Sequence, residues 1–218
     1  MRKVKFIENE YYHLYNRGVD KRSIFQDKED ALRFLQSMQE FNSTEPQGGI
    51  YLSAHSKNSN FRSSASKLVR FIAYCLNQNH YHFIIQPLVE DGVQKFMHRL
   101  STGYTKFFNE KHKRSGSLFQ GSYKAVHIET NEQLLHGSVY VNINDRVHEG
   151  LNEKWLSELP FSSFAEYQGI RKNGICDTSI ILDQYQDSSE YSKNAELVLI
   201  DIINRKKQEK LLKKMMIE

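Results

Sequence analysis

His80 and His82 are separated by a single residue in the segment Phe71 to Pro87, and Tyr140 precedes Asn144 by four positions later in the chain. Strand side chains alternate between faces, so a His-x-His pair on a strand puts both imidazoles on one side, within reach of one divalent ion. Residues four apart on a helix share a face, so Tyr140 and Asn144 would set a hydroxyl beside an amide oxygen. The sum is two nitrogen ligands, one oxygen ligand and one nucleophile. A mixed nitrogen and oxygen set suits Mg²⁺ or Mn²⁺ better than structural zinc, which usually recruits cysteine and closes its fourth position. A phenolate can attack phosphorus and later leave from the resulting phosphoester, which splits one transesterification into two reversible steps. A divalent ion would polarise a nonbridging phosphate oxygen. Neither pair is informative alone: His-x-His also serves half-buried strands, and most of the 12 tyrosines must be structural.

The elements that must position these groups are legible from periodicity. Tyr11 to Arg17, closed by Gly18, reads as a first strand. Between Asp27 and Phe41, Ala31, Leu32, Phe34, Leu35 and Met38 recur at helical spacing, with Asp27 as N-cap and Glu29 and Asp30 in the first turn. Asn42 to Ser66 is a polar excursion with room for one short strand at Ile50-Tyr51-Leu52. Leu68 to Leu76 and His80 to Gln86 form a hairpin around Asn77-Gln78-Asn79. A helix is expected over Asp91 to Lys113, then a strand over Ser122 to Ile128. Thr130 and Gln133 have capping-box spacing for a further helix reaching about His148, with Leu135, Val139, Ile143 and Val147 buried and Tyr140 and Asn144 flanking that stripe. A short helix follows Ser162 or Ser163, and a last one runs from about Ser192 to Met215, packed at one end and solvated at the other. The order gives an α/β sandwich of the α+β kind with a mainly antiparallel sheet.

At 218 residues there is room for one good-sized domain and an appended segment. With 39% apolar and 26% charged residues the composition is globular, which excludes wholesale disorder, and a net charge of +4 permits a polyanionic partner without demanding one. Cys75 and Cys176 are too few for a disulfide framework and lack metal spacing, so a reducing cytosol is expected. No apolar run approaches a membrane span, so no membrane association is expected. A basic face from Arg99 through Lys124, interleaved with Tyr104, Phe107, Phe119 and Tyr123, offers cations for phosphates and rings for bases. Candidate DNA contacts are Arg17, Arg99, Lys106, Arg114, Gln120 and Lys124.

Tyr12-His13-Leu14-Tyr15-Asn16-Arg17-Gly18, the run Cys75 to Ile85, Gly116-Ser117-Leu118-Phe119-Gln120, Tyr140-Val141-Asn142-Ile143-Asn144 and Pro160-Phe161-Ser162-Ser163-Phe164 occur in an order that resembles single-tyrosine HUH transposases, most of all the REP-associated tyrosine transposase branch. The resemblance spans Tyr11 to Tyr167 and departs from the family at Tyr81, where an aliphatic is commoner, and at Asp145, where proline is frequent. It implies a ferredoxin-like or RRM-like sheet, single-stranded or hairpin DNA as partner, and a divalent ion on His80 and His82 with Asn144 as third ligand. It also implies that Tyr140 forms a 5′-phosphotyrosine. Residues 1–150 are then the transposase/endonuclease domain and 151–218 a C-terminal helical extension. Monomer and homodimer are both compatible, and the extension favours the monomer. A non-cleaving nucleic-acid-binding regulator on the same fold, and a phosphodiesterase using water, remain as alternatives.

Overall fold

Four strands form one antiparallel sheet in the order β2-β3-β1-β4, with β1 at Tyr11–Arg17, β2 at Val69–Asn77, β3 at His80–Pro87 and β4 at Lys124–Ile128. The computed structural model describes residues 4–45, 66–147, 161–172 and 174–215, with side chains as far as Glu209. Helix α1 (Lys28–Glu40) connects β1 to β2, and α2 (Gly92–Lys111) connects β3 to β4. This is the βαββαβ connectivity of a ferredoxin-like sheet, as the sequence order predicts. The expected strand at Ile50–Leu52, most of the polar excursion, and the Leu159-Pro160 entry to the short helix lie outside the described residues.

Period two in β3 divides the molecule into two layers. Tyr81, Phe83 and Ile85 enter one core with Tyr12 and Leu14 of β1, beneath Ala31, Phe34 and Met38 of α1 and Val93, Phe96, Leu100 and Tyr104 of α2. Full burial of each such side chain is worth about 1.5–3 kcal/mol, so this face holds the sheet rigid. Ile84, from the alternate set, enters a second core with Ile72, Ala73 and Cys75 of β2. That core is closed by α3 (Asn131–Asn142), α4 (Asn144–Val147), α5 (Phe164–Tyr167), α6 (Ser179–Leu182) and α7 (Ser188–Met215). Tyr191 and Ala195 of α7 are buried there, whereas Leu197 and Ile200 stay exposed.

The start of α1 is pinned to the end of α2. Asp27 and Asp30 form a capping box, and Lys111 Nζ lies 2.6 Å from Asp27 and 3.0 Å from Asp30. His112 Nε2 is 2.9 Å from Asp30, so the Lys111 ammonium and the His112 imidazole at one helix end meet carboxylates at the other helix start, and the ammonium and carboxylates match the two dipoles. Asp27, Asp30 and His112 bring three possible ligand atoms within 4.8 Å of one another. The Lys111 ammonium bridges both carboxylates, which makes the cluster a tether between the two helices.

Two sequence expectations change. The helix expected from Thr130 to His148 breaks at Ile143, leaving Asn131–Asn142 and a separate turn at Asn144–Val147. Thr130 Oγ1 does accept from Gln133 N, as the capping spacing predicts, but Gln133 reaches back to Glu129 N. Tyr104 and Phe119, expected as stacking rings, are buried in the first core, with the Tyr104 hydroxyl donating to Ile24 O at 2.6 Å. Helical spacing placed Tyr104 on an apolar stripe, and burial claimed it.

The exposed edge of β2 is covered by the run after Phe161. Leu76 N donates to Phe161 O at 2.6 Å and Ser163 N to Tyr74 O at 2.9 Å, which removes a row of unpaired strand groups. Ser163 Oγ also accepts from Tyr74 N and donates to Asn142 Oδ1. Asn142 Nδ2 donates in turn to the Tyr191 hydroxyl at 2.7 Å. The end of α3 is thereby fixed to β2 on one side and α7 on the other.

Candidate active site

The β2–β3 hairpin turns through Gln78 and Asn79, and its backbone is held from outside: Gly18 N donates to Asn79 O at 2.8 Å, and Ile24 N and Phe25 N donate to Gln78 O. Gly18 is required there, since a Cβ would sit 2.1 Å from Arg22 O. Within this frame Asn79 Nδ2 donates to Lys21 O at 3.1 Å, which turns Asn79 Oδ1 toward His80. His80 Nδ1 lies 2.6 Å from that oxygen. An amide oxygen only accepts, so Nδ1 carries the proton and, in the neutral ring, Nε2 carries a lone pair.

His80 Nε2 faces Asn144 Oδ1 at 3.4 Å. Asn144 is fully buried, and its oxygen is oriented by Asn77 Nδ2 at 2.9 Å. Two electron-pair donors thus confront each other, while the Asn144 Nδ2 is buried without a hydrogen-bond partner. A cation resolves the first feature, because it draws both lone pairs to itself. The residues therefore fit a divalent ion, and the donor types are those of Mg²⁺ or Mn²⁺ sites that mix nitrogen and oxygen.

His82 stands on the same strand face, its ring 5.1 Å from that of His80 at 88°. Its Nδ1 lies 2.9 Å from His13 Nε2 on β1. Burial lowers the His13 imidazole to about 4, so that ring is neutral. Tyr140 of α3 approaches His82 edge-on, with ring centroids 6.0 Å apart, and remains 37% exposed. The hydroxyl-bearing ring, both histidines and Asn144 therefore come together within one chain. The break at Ile143 separates their environments: Asn144 turns into the protein and Tyr140 stays accessible to a large substrate.

The six candidate DNA contacts divide between the two sides of the sheet. Arg17 pairs with His80 in the β1–β3 register, and Tyr15 with both His82 and Lys124, so these residues share one face. Arg17 Nε donates to Gln120 Oε1, and Lys124 Nζ lies 5.9 Å from the Tyr15 ring centroid. Arg99, Lys106 and Arg114 belong to α2 and the turn after it, across the sheet from the histidines. Arg99 donates to Ser43 O and Arg114 to Ser117 O, and Lys106 is exposed.

Sequence reasoning passed over Asn77, Asn142 and His13. Asn77 and Asn142 lay inside quoted motifs but read as turn chemistry and filler. A buried asparagine on an otherwise apolar strand or helix was the available signal, because such a group must have a partner. His13 had a weaker signal, period two from Tyr15 and Arg17 on the same strand.

Among the described residues, no helix is long and apolar enough to cross a membrane. No curated protein matches the chain. A structure of REP-associated tyrosine transposase bound to a REP hairpin is similar at a TM-score of 0.52 and 13% identity, covering 79% of this chain and 88% of that one. A candidate transposase from Deinococcus radiodurans R1 aligns at 12% identity and a TM-score of 0.37, covering 66% of this chain and 98% of that one. Residues 53–144 match the family model described as transposase IS200 like. The match to the IS200-like transposase model covers the segment that carries His80, His82, Tyr140 and Asn144, and the fold is similar to that of REP-associated tyrosine transposase.

Proposed function

We propose that the chain is a single-tyrosine HUH transposase that cleaves and rejoins single-stranded DNA, with hairpin DNA as its recognised form. The observation that carries this reading is the meeting of Tyr140 with His82 beside the His80–Asn144 pair in one chain. His80, His82 and Asn144 would hold Mg²⁺ or Mn²⁺, which would supply positive charge to a nonbridging oxygen of the scissile phosphate. Tyr140 Oη, on an exposed helix face, attacks phosphorus as its proton leaves. The phosphorus–O3′ bond breaks, the 3′ oxygen takes up a proton, and the 5′ phosphate remains on Tyr140. Attack by a 3′-OH reverses the step and joins the strands. His80, His82, Tyr140 and Asn144 come together within one chain, which supports action as a monomer.

Arg17, Gln120 and Lys124 lie on the same open sheet face and supply contacts to the strand flanking the cleaved phosphate, with Tyr15 available for a base. Arg99, Lys106 and Arg114 would engage only DNA that wraps past the sheet to α2. The hairpin carried by the REP-associated neighbour supports a folded DNA partner here.

The test is incubation of end-labelled hairpin oligonucleotides with the protein and Mn²⁺ or Mg²⁺, followed by denaturing gels. A covalent adduct that disappears in Tyr140→Phe, with binding retained, is expected. Binding without an adduct on any flanking sequence would make the chain a regulator. Cleavage surviving in Tyr140→Phe would make water the nucleophile.

A further inference from the structure

His13 Nε2 and His82 Nδ1 lie 2.9 Å apart, and which of them donates decides whether His82 Nε2 can bind a cation. If His13 Nε2–H donates, neutral His82 keeps its own proton on Nε2 and has no lone pair left. If His82 Nδ1–H donates, His82 Nε2 presents a lone pair. We infer that His13 is a positioning residue whose Nε2 accepts the Nδ1–H of His82, holding His82 in the tautomer that ligates through Nε2. The inference rests on the reading of His80, His82 and Asn144 as ligands.

The geometry supports it in three ways. His80 has the equivalent arrangement, its Nδ1 held by Asn79 Oδ1 at 2.6 Å, so each histidine of the pair hands its Nδ1 to a separate acceptor. His13 and His82 stack at 5.1 Å and 18°, which fixes the plane of the His82 ring. Tyr15 lies 5.8 Å from His82 and 5.2 Å from His13, so its ring flanks both imidazoles. Metal-binding histidines commonly donate their other N–H to such a partner, and removing that partner usually weakens metal binding by about 10–100-fold.

The experiment compares wild type, His13→Phe and His13→Gln by ¹H–¹⁵N correlation of the His82 ring in metal-free protein and by Mn²⁺ titration calorimetry. Phenylalanine keeps the ring and removes the acceptor; glutamine places an amide oxygen near the lost Nε2. The expected result is an Nδ1–H tautomer of His82 in wild type and His13→Gln, a mixture in His13→Phe, and Mn²⁺ affinity about 10–100-fold weaker in His13→Phe alone. An Nε2–H tautomer in wild type overturns the inference, as does equal Mn²⁺ affinity in wild type and His13→Phe with unchanged His82 signals. If the tautomer responds to His13 as expected but no variant binds Mn²⁺, the orienting contact stands and the metal reading of the site falls.

Discussion

Asn77 Nδ2 donates to Asn144 Oδ1 at 2.9 Å, so the last residue of β2 aims the oxygen that faces His80 Nε2. Asn77→Ala should free the buried Asn144 amide to rotate. Loss of that bond is expected to cost about 1–3 kcal/mol of stability and to weaken Mn²⁺ binding about 10–100-fold. Urea unfolding and calorimetry measure the two separately. A stability loss with unchanged Mn²⁺ affinity would confine Asn77 to packing.

Gly18 carries a comparable duty on the Nδ1 side of His80. A Cβ at 2.1 Å from Arg22 O would push that loop away, and with it the Gly18 N–H that holds Asn79 O. Gly18→Ala is expected to lose about 1–3 kcal/mol by overpacking, read as a lower urea midpoint. An unchanged midpoint would mean that the Arg22 carbonyl gives way freely.

The open sheet face predicts a salt signature. Arg17→Ala and Lys124→Ala should each flatten the dependence of log affinity on log salt by about 0.7 for single-stranded DNA, one phosphate contact apiece. Fluorescence anisotropy between roughly 50 and 200 mM salt would show it. A slope identical to wild type removes that residue from the interface.

Stability should fall in alkali. Burial raises the phenols of Tyr74, Tyr81, Tyr104, Tyr167 and Tyr191 above their ordinary value. The folded chain then retains protons that the unfolded chain releases above about pH 10. Their contribution is complete below that point and is lost as pH rises toward the folded values. Urea midpoints at rising pH, followed together with absorbance of ionised tyrosine, should fall as these phenols ionise during unfolding. Full ionisation with the fold intact would contradict the burial of these rings.

The antiparallel sheet and the shared face of His80 and His82 were legible in the chain, because strand alternation is a short-range period, whereas the ferredoxin-like sheet and the meeting of Tyr140 with the histidines join distant segments and followed only from the family resemblance. The break at Ile143 was not legible. The apolar stripe continues through Ile143 and Val147, and the anchors of Asn142 come from Ser163 and Tyr191, at separations no local pattern reports. The stacking rings failed for a related reason. Tyr104 and Phe119 stand among basic residues in the chain, but nearness in sequence does not set the face: Tyr104 lies on the apolar stripe of α2, and both rings are buried in the first core. Tyr15, unremarked among the aromatics of β1, is the ring that borders His82.

Strand β3 places His80 and His82 toward the chemistry and Tyr81 and Phe83 toward the core beneath α1 and α2. Mutational tolerance along it should therefore alternate residue by residue. Substitutions at the histidines cost function and spare expression, whereas those at the neighbouring rings cost expression first. A single inserted residue in the Gln78-Asn79 turn would exchange the two sets, offering a phenol and a phenyl to the phosphate and burying the imidazoles in hydrocarbon. The hairpin's length is thus under as tight a constraint as the identity of any ligand.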